Sequence, residues 1–147
     1  MEKILVVGAN IIERNRKILL MKETFKEVKG KWNLPAGRLE VDEDIINCAK
    51  REGEEETGFK LRPLHLIGVY QYLTLGYNVI LFVFKSKIIG GKLTITKEAM
   101  DVRWLSLKEI KELDKKGLLI GSYILKSLDA LKADKRIPLS AVTILES

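Results

Sequence analysis

Glu52, Glu54, Glu55 and Glu56 crowd into five consecutive positions of a chain that is otherwise basic. From Glu40 to Glu56 eight acids face only Lys50 and Arg51, a net charge of −6, whereas the whole chain carries +6. On a helix each residue turns the side chain by about 100°, so Glu52, Glu55 and Glu56, three and four apart, fall on one side. Ile46, Ala49 and Gly53 form a stripe beside them, which puts the three carboxylates at the edge of a packed face. Like charges held so close cost stability unless a cation neutralises them. Hard divalent ions such as Mg2+ take carboxylate oxygens together with substrate phosphates. The chemistry that fits is a metal cradle for a phosphate-bearing substrate; the alternative is an exposed acidic helix whose charges are merely solvated.

The elements that must position these acids are legible in outline. Asp44 to Thr57 reads as a helix, with Asp42 as its cap and Gly58 as its stop. Trp32 to Leu34 reads as a short strand broken by Pro35-Ala36-Gly37. "KILVVGANIIERNRKILLMKE" reads as two strands joined at Arg14-Asn15-Arg16. Further strands are expected near Leu61 to Tyr72, Asn78 to Lys87 and Val102 to Leu105, with turns at Gly76 and Gly90-Gly91. Ser106 opens a helix near Leu107 to Asp114, Tyr123 to Ala133 forms another, and "PLSAVTILE" is expected to add a last short strand. Strands interleaved with separated helices indicate an α/β or α+β sandwich.

The 147 residues fit one domain, 1–147, with a core of its own. A hydrophobic fraction of 46% and a charged fraction of 31% suit a soluble globular protein. The longest strongly apolar run, Val79 to Phe84, falls far short of the roughly 20 residues that span a bilayer. "MEKILVVGANII" enters an alternating pattern with no small-residue cleavage site, so no signal peptide is expected. The single cysteine, Cys48, forms no internal disulfide and suits a reducing compartment, hence a cytoplasmic setting. The lysines are scattered, without a dense run or an aromatic-basic motif. They read as a solvated surface or as an attraction for polyphosphate or RNA ligands.

The stretch from Gly37 to Phe59 carries Gly37, Glu43, Arg51, Glu52, Glu55, Glu56, Gly58 and Phe59 in the pattern Gly-x5-Glu-x7-Arg-Glu-U-x-Glu-Glu-x-Gly-U, where U is bulky and apolar. This resembles the Nudix box, the signature of the Nudix hydrolases. The preceding "KWNLPAG" and the later "DVRWLSLKEI" are similar to further segments of that family. Two positions depart from the pattern. Gly53 stands where the family has a bulky aliphatic, at a cost of about 1 kcal/mol in helix propensity relative to Ala, and Ala36 replaces the first glycine of the usual pair.

The resemblance implies an α/β/α sandwich with a mixed central sheet and a loop-helix motif. It also implies hydrolysis of a phosphoanhydride bond in a nucleoside diphosphate linked to a group X. Glu52, Glu55 and Glu56, with the Gly37 carbonyl, would hold Mg2+ or alternatively Mn2+. Glu52, or a glutamate from a later loop, would be the general base; Glu98, ahead of Asp101, lies where the family often supplies an extra acid, the competing reading being ordinary loop charge. Arg51 would pair with box carboxylates, Glu43 among them, and orient them. Glu54 reads as solvated. The Trp32-Asn33 pair is similar to one in oxidised-purine nucleotide hydrolases, where the Asn contacts the base; the competing roles are packing for Trp32 and local backbone satisfaction for Asn33. Tyr77 lies 18 residues beyond Phe59, where dinucleoside polyphosphate hydrolases carry a tyrosine.

Marks of the ADP-ribose and coenzyme A branches are missing. "LPAGRLE" and the later "GGKL" are similar to the oxidised-nucleotide branch, so (deoxy)nucleoside di- or triphosphates are the first choice. ADP-ribose or dinucleoside polyphosphates are the alternative, and a nucleotide-sensing module without turnover is a third. The implied partner is a small nucleotide, with no membrane and no stable nucleic-acid partner, in a monomer or homodimer.

Overall fold

Asn15 and Arg16 both adopt positive φ, 51° and 63°, and turn the chain sharply back on itself. This is the conformation a two-residue hairpin loop demands. In the computed structural model, which describes residues 3–74 and 76–146, that turn joins β2 (Glu13–Arg14) to β3 (Lys17–Lys22). The preceding β1 (Lys3–Ile11) belongs to a different sheet, so the apolar run at the start of the chain divides near Ile12. Next come β4 (Trp32–Asn33), β5 (Ala36–Arg38) and α1 (Ile45–Thr57). The long strands β6 (Phe59–Thr74) and β7 (Tyr77–Gly91) precede β8 (Asp101–Ser106), α2 (Leu107–Lys115) and α3 (Tyr123–Lys132).

The architecture is mixed α+β. One four-stranded sheet runs β5-β1-β7-β6, with β1 parallel to β7 and the other pairs antiparallel. In a second, antiparallel sheet β3 pairs with β2, β4 and β8. Alternation along β7 assigns the layers. Val79, Leu81 and Val83 face a core shared with the second sheet, α2 and α3. Phe82 and Phe84 face α1, where Phe84 meets Ile45, Cys48 and Ala49.

Several local expectations are corrected. The cap of α1 is Asp44, whose carboxylate accepts the Asn47 N–H at 2.8 Å. Asp42 sits two residues earlier in a turn with φ 64°. Gly90 and Gly91 form the end of β7, paired with Lys60 and Phe59, rather than a turn. The C-terminal segment forms a 3-10 turn at Leu139–Ala141; Ile137 bridges Leu66, and Leu139 and Val142 pack on the Leu66–Phe84 cluster without forming a strand. Gly58 stops α1 in the left-handed region as expected, and Ser106 with Glu109 closes a capping box on α2.

How close α1 lies to the sheet depends on two glycines. A Cβ on Gly8 of β1 would come within 2.7 Å of the Ala49 nitrogen. A Cβ on Gly53 would come within 2.6 Å of Leu61 and 2.8 Å of Asn10. The missing side chain at position 53 is thus the condition for contact with β1 and β6. Asn10, fully buried, secures that contact: its Nδ2 donates to the carbonyls of Ala49 (2.7 Å) and Pro35 (3.1 Å), and its Oδ1 accepts from Ser86 Oγ (2.8 Å).

Candidate active site

β5 runs antiparallel to β1, with Gly37 opposite Gly8, and so lies alongside α1. A side chain at position 37 would overlap the Glu52 carboxyl group, so the glycine is what lets that carboxylate lie against the strand. One residue earlier, the Ala36 N–H donates to Glu56 Oε2 at 2.9 Å. Glu56 is only 6% exposed, and burial pushes its pKa well above the ordinary carboxylate range. The Ala36 N–H bond opposes that rise, while the charges of Glu52, Glu23 and Glu98 add to it. Glu52 is raised for the same first reason, against the pull of Arg51. Four carboxylates from three separate segments therefore share one neighbourhood.

Arg51 organises the acids around it. Its Nε and Nη2 grip Glu43 in a two-pronged pair at 2.6 and 3.0 Å, and Nη2 also donates to the Arg38 carbonyl at 3.2 Å. Nη1 reaches Glu52 Oε1 at 2.8 Å and Glu55 Oε2 at 3.3 Å. Arg51 thus pairs with Glu43, Glu52 and Glu55 of the box, and its bonds hold Glu43 below its usual pKa. Cys48 is buried under this cluster; its thiol donates to the Gly37 carbonyl at 3.5 Å, and burial pushes its pKa up to about 11.

The donor set consists of oxygens, which suits a hard divalent ion. The glycine cleared for Glu52 and the desolvated Glu56 fit such an ion. Among the described residues no three acids converge on one point, and Arg51 pairs with Glu52 and Glu55.

The remaining expected residues divide into two groups. Glu98 comes near the box, since its charge acts on both Glu52 and Glu56. Asp101 instead pairs with Arg103 at 2.6 Å and accepts the Val102 N–H. Asn33 is buried behind the site: Nδ2 donates to Glu23 Oε1 at 3.2 Å, and Oδ1 accepts from the Leu34 N–H at 2.9 Å and from the Tyr123 hydroxyl. Trp32, its neighbour on β4, is buried in the core with cations over its ring, Lys22 at 5.8 Å and Arg103 at 5.9 Å. Tyr77 pairs with Lys3, six residues along β1 from the Ala9–Ala36 pair. That is about 20 Å at ~3.3 Å per residue, so the fold does not bring Tyr77 to the box.

Glu54 is not simply solvated. It accepts the Leu61 N–H at 2.9 Å and pairs with Lys50 at 3.4 Å, tying α1 to β6. Sequence reading also missed Glu23, Tyr123 and Asn10. Nothing local marks the first two: Asn33 and Tyr123 are 90 residues apart. Asn10 stands out only as an amide inside an apolar strand, a polar group that needs partners once buried.

The sequence profile of the NUDIX domain matches residues 3–125. The 8-oxo-dGDP phosphatase NUDT18 of Danio rerio is 36% identical over 96 residues, covering 65% of this chain and 29% of that protein. The chain thus spans less than a third of that relative's length. The phosphatase NudJ of Shigella boydii is 30% identical over 140 residues, 93% of this chain and 89% of that protein. A NUDIX hydrolase structure from Nitrosomonas europaea superposes with a TM-score of 0.88 at 28% identity, covering 97% of this chain and 98% of that one. With every ionisable residue of the box present and these matches along its length, the chain belongs to the Nudix family of hydrolases.

Proposed function

We propose that this chain hydrolyses a phosphoanhydride bond of a (deoxy)nucleoside di- or triphosphate, oxidised purine nucleotides included, with Mg2+ or Mn2+. The observation that carries this reading is the buried Glu56 carboxylate beside Glu52, which lies over Gly37. So many desolvated carboxylates in one place are costly without a cation. Glu52, Glu55 and Glu56 would hold the ion, with the Gly37 carbonyl as a further oxygen. When bound there, such an ion supplies positive charge against the phosphate oxygens and makes the attacking water more acidic.

The chain's own residues do the rest. Arg51 holds Glu52 and Glu55 at the rim through Nη1 and is itself anchored by Glu43. Glu52 or Glu98 takes the proton of water as its oxygen bonds to phosphorus and the bridging P–O bond breaks. The leaving phosphate departs with the bridging oxygen. Asn33 would offer a base the one Nδ2 hydrogen that Glu23 does not take, since its Oδ1 is engaged by the Leu34 N–H and the Tyr123 hydroxyl. The activity named for NUDT18 supports the oxidised-purine choice. The lone buried Cys48 supports a reducing, cytoplasmic setting, and among the described residues no helix is long and apolar enough to cross a membrane.

A panel of 8-oxo-dGDP, 8-oxo-dGTP, dGTP, pyrimidine triphosphates, ADP-ribose and dinucleoside polyphosphates, assayed with Mg2+ and Mn2+, tests the reading. The expected ranking places purine di- or triphosphates first. Faster turnover of ADP-ribose or a dinucleoside polyphosphate would move the substrate assignment. No turnover of any compound with either ion would end the hydrolase reading.

A further inference from the structure

A cavity of about 580 Å3, lined by none of the box residues, opens at the far end of α3. Lys85, in its wall, continues the face of β7 that carries Val79, Leu81 and Val83 and looks away from α1. The volume falls within the range of roughly 300–1,000 Å3 typical of small-molecule sites. Ile18, Leu107, Leu128 and Leu131 supply an apolar floor, continuous with the main core. Above it stand Arg16, Lys85, Lys132, Lys135 and Arg136, opposed by only Glu13 and Asp134.

Those two carboxylates are already engaged. Glu13 pairs with Lys85 at 3.0 Å and Asp134 with Arg136 at 2.8 Å. Among the described residues, Arg16, Lys132 and Lys135 form no ion pair. His65 of β6 lies in the wall between these groups. Its pKa is lowered, first by burial and then by Arg136 and Lys85. A concave surface lined by one sign of charge over low-dielectric walls focuses its field and concentrates counter-ions. Part of the chain's positive surplus is therefore gathered into a cavity with an apolar base, and not spread evenly as solvated lysines.

We propose that this cavity is a second binding site, separate from the Nudix box, for a small organic phosphate of nucleotide size. The body of the ligand lies on the Ile18 and Leu128 floor, and its phosphate meets Arg16, Lys132 and Lys135 through charge-assisted hydrogen bonds. A free inorganic anion would use the rim and leave the floor wet. A nucleic acid would need a cationic track along its backbone, which Glu13 and Asp134 interrupt.

The test uses adenosine 5′-monophosphate, which has no anhydride for the box to cleave, in EDTA to leave the box without metal. His65 is the only histidine of the chain, so its imidazole signals give one reporter free of overlap. The expected result is saturable binding by calorimetry and a rise in the His65 pKa, because a bound dianion offsets the charges of Arg136 and Lys85. A K132E/K135E variant alters two exposed side chains at the end of α3 and keeps the parent circular dichroism and nucleotide turnover. It should bind adenosine 5′-monophosphate about tenfold more weakly, or about 1.4 kcal/mol. The site is overturned by absence of saturable binding, by binding that leaves His65 unmoved, or by unchanged affinity in K132E/K135E. Inorganic phosphate binding as tightly as the nucleotide would overturn the organic part. An RNA oligonucleotide that displaces the nucleotide and binds more tightly would assign the face to nucleic acid and overturn it too.

Discussion

Glu56 and Glu23 are both carboxylates taken out of water at the same site, yet the protein compensates them in different ways. Glu56 is met by an N–H from Ala36, 20 residues away, and its neighbours Glu52 and Glu55 are managed by Arg51 on the same helix. Glu23 is met by Asn33, which in turn depends on Tyr123 from α3, 90 residues further along. The acidic end of the site is assembled from one short segment folding on itself. The Asn33 end is assembled by packing three distant elements together. The first depends on spacing within one short segment, while the second depends on how β4 and α3 pack, and the charge of Glu23 links the two.

The largest effect should come from the acidic end. Glu56→Gln keeps an acceptor for the Ala36 N–H but removes the charge, so kcat should fall at least ~100-fold, about 2.7 kcal/mol of transition-state stabilisation. In EDTA the same variant should melt at or above the parent temperature, since a buried charge without a counter-ion has been removed. Turnover within tenfold of the parent at saturating Mg2+ would break the assignment.

Next in size is metal itself. Ions that bind only the folded chain should stabilise it by about 2.7 kcal/mol at ~100 times their Kd. Melting curves in EDTA, Mg2+ and Mn2+ measure this, and equal melting in all three would return the acids to a merely solvated role.

At the other end, Asn33→Ala leaves Glu23 and the Tyr123 hydroxyl short of a partner. It should cost about 1–3 kcal/mol in stability, and kcat/KM for the preferred purine nucleotide should fall more than for a pyrimidine analogue. Because the three groups form one network, Asn33→Ala and Tyr123→Phe should combine non-additively, with a coupling of about 0.5–3 kcal/mol. Equal losses on purine and pyrimidine substrates would leave Asn33 a packing residue and sharpen the contrast between the two ends.

The smallest effect belongs to Glu54. Replacing it with Ala should cost about 1 kcal/mol, the worth of its bond to the Leu61 N–H. Gln, which can accept the same bond, should recover most of it, and turnover should stay within twofold, a difference of less than about 0.5 kcal/mol.

This division also explains what could be read in advance. Helix periodicity put Glu52, Glu55 and Glu56 on one side, and the Gly58 stop followed from local rules that α1 obeys. The cap moved from Asp42 to Asp44 because the side chain that reaches the Asn47 N–H belongs to the residue immediately before the helix. The C-terminal strand failed for a different reason. Ile137 exchanges both backbone hydrogen bonds with Leu66, and from Pro138 the chain enters a 3-10 turn that packs on the sheet through Leu139 without extending the ladder. Glu23 and Tyr123 were illegible because their roles exist only once α3 packs on the core, a contact no short window encodes. Glu54 was read as solvated from its place on the helix, but its partner lies on β6.

Gly8 and Gly53 let α1 approach the sheet so closely that the β1 backbone meets the Ala49 backbone at one, and the helix backbone meets the Asn10 and Leu61 side chains at the other. Such a joint has little compliance, because at both glycines neighbouring atoms already stand where a Cβ would need room. The helix should therefore open to solvent only when β1 and β6 do. Its amide protons should exchange on the timescale of the whole fold, slower than helix propensity alone would allow for a segment with a glycine near its middle.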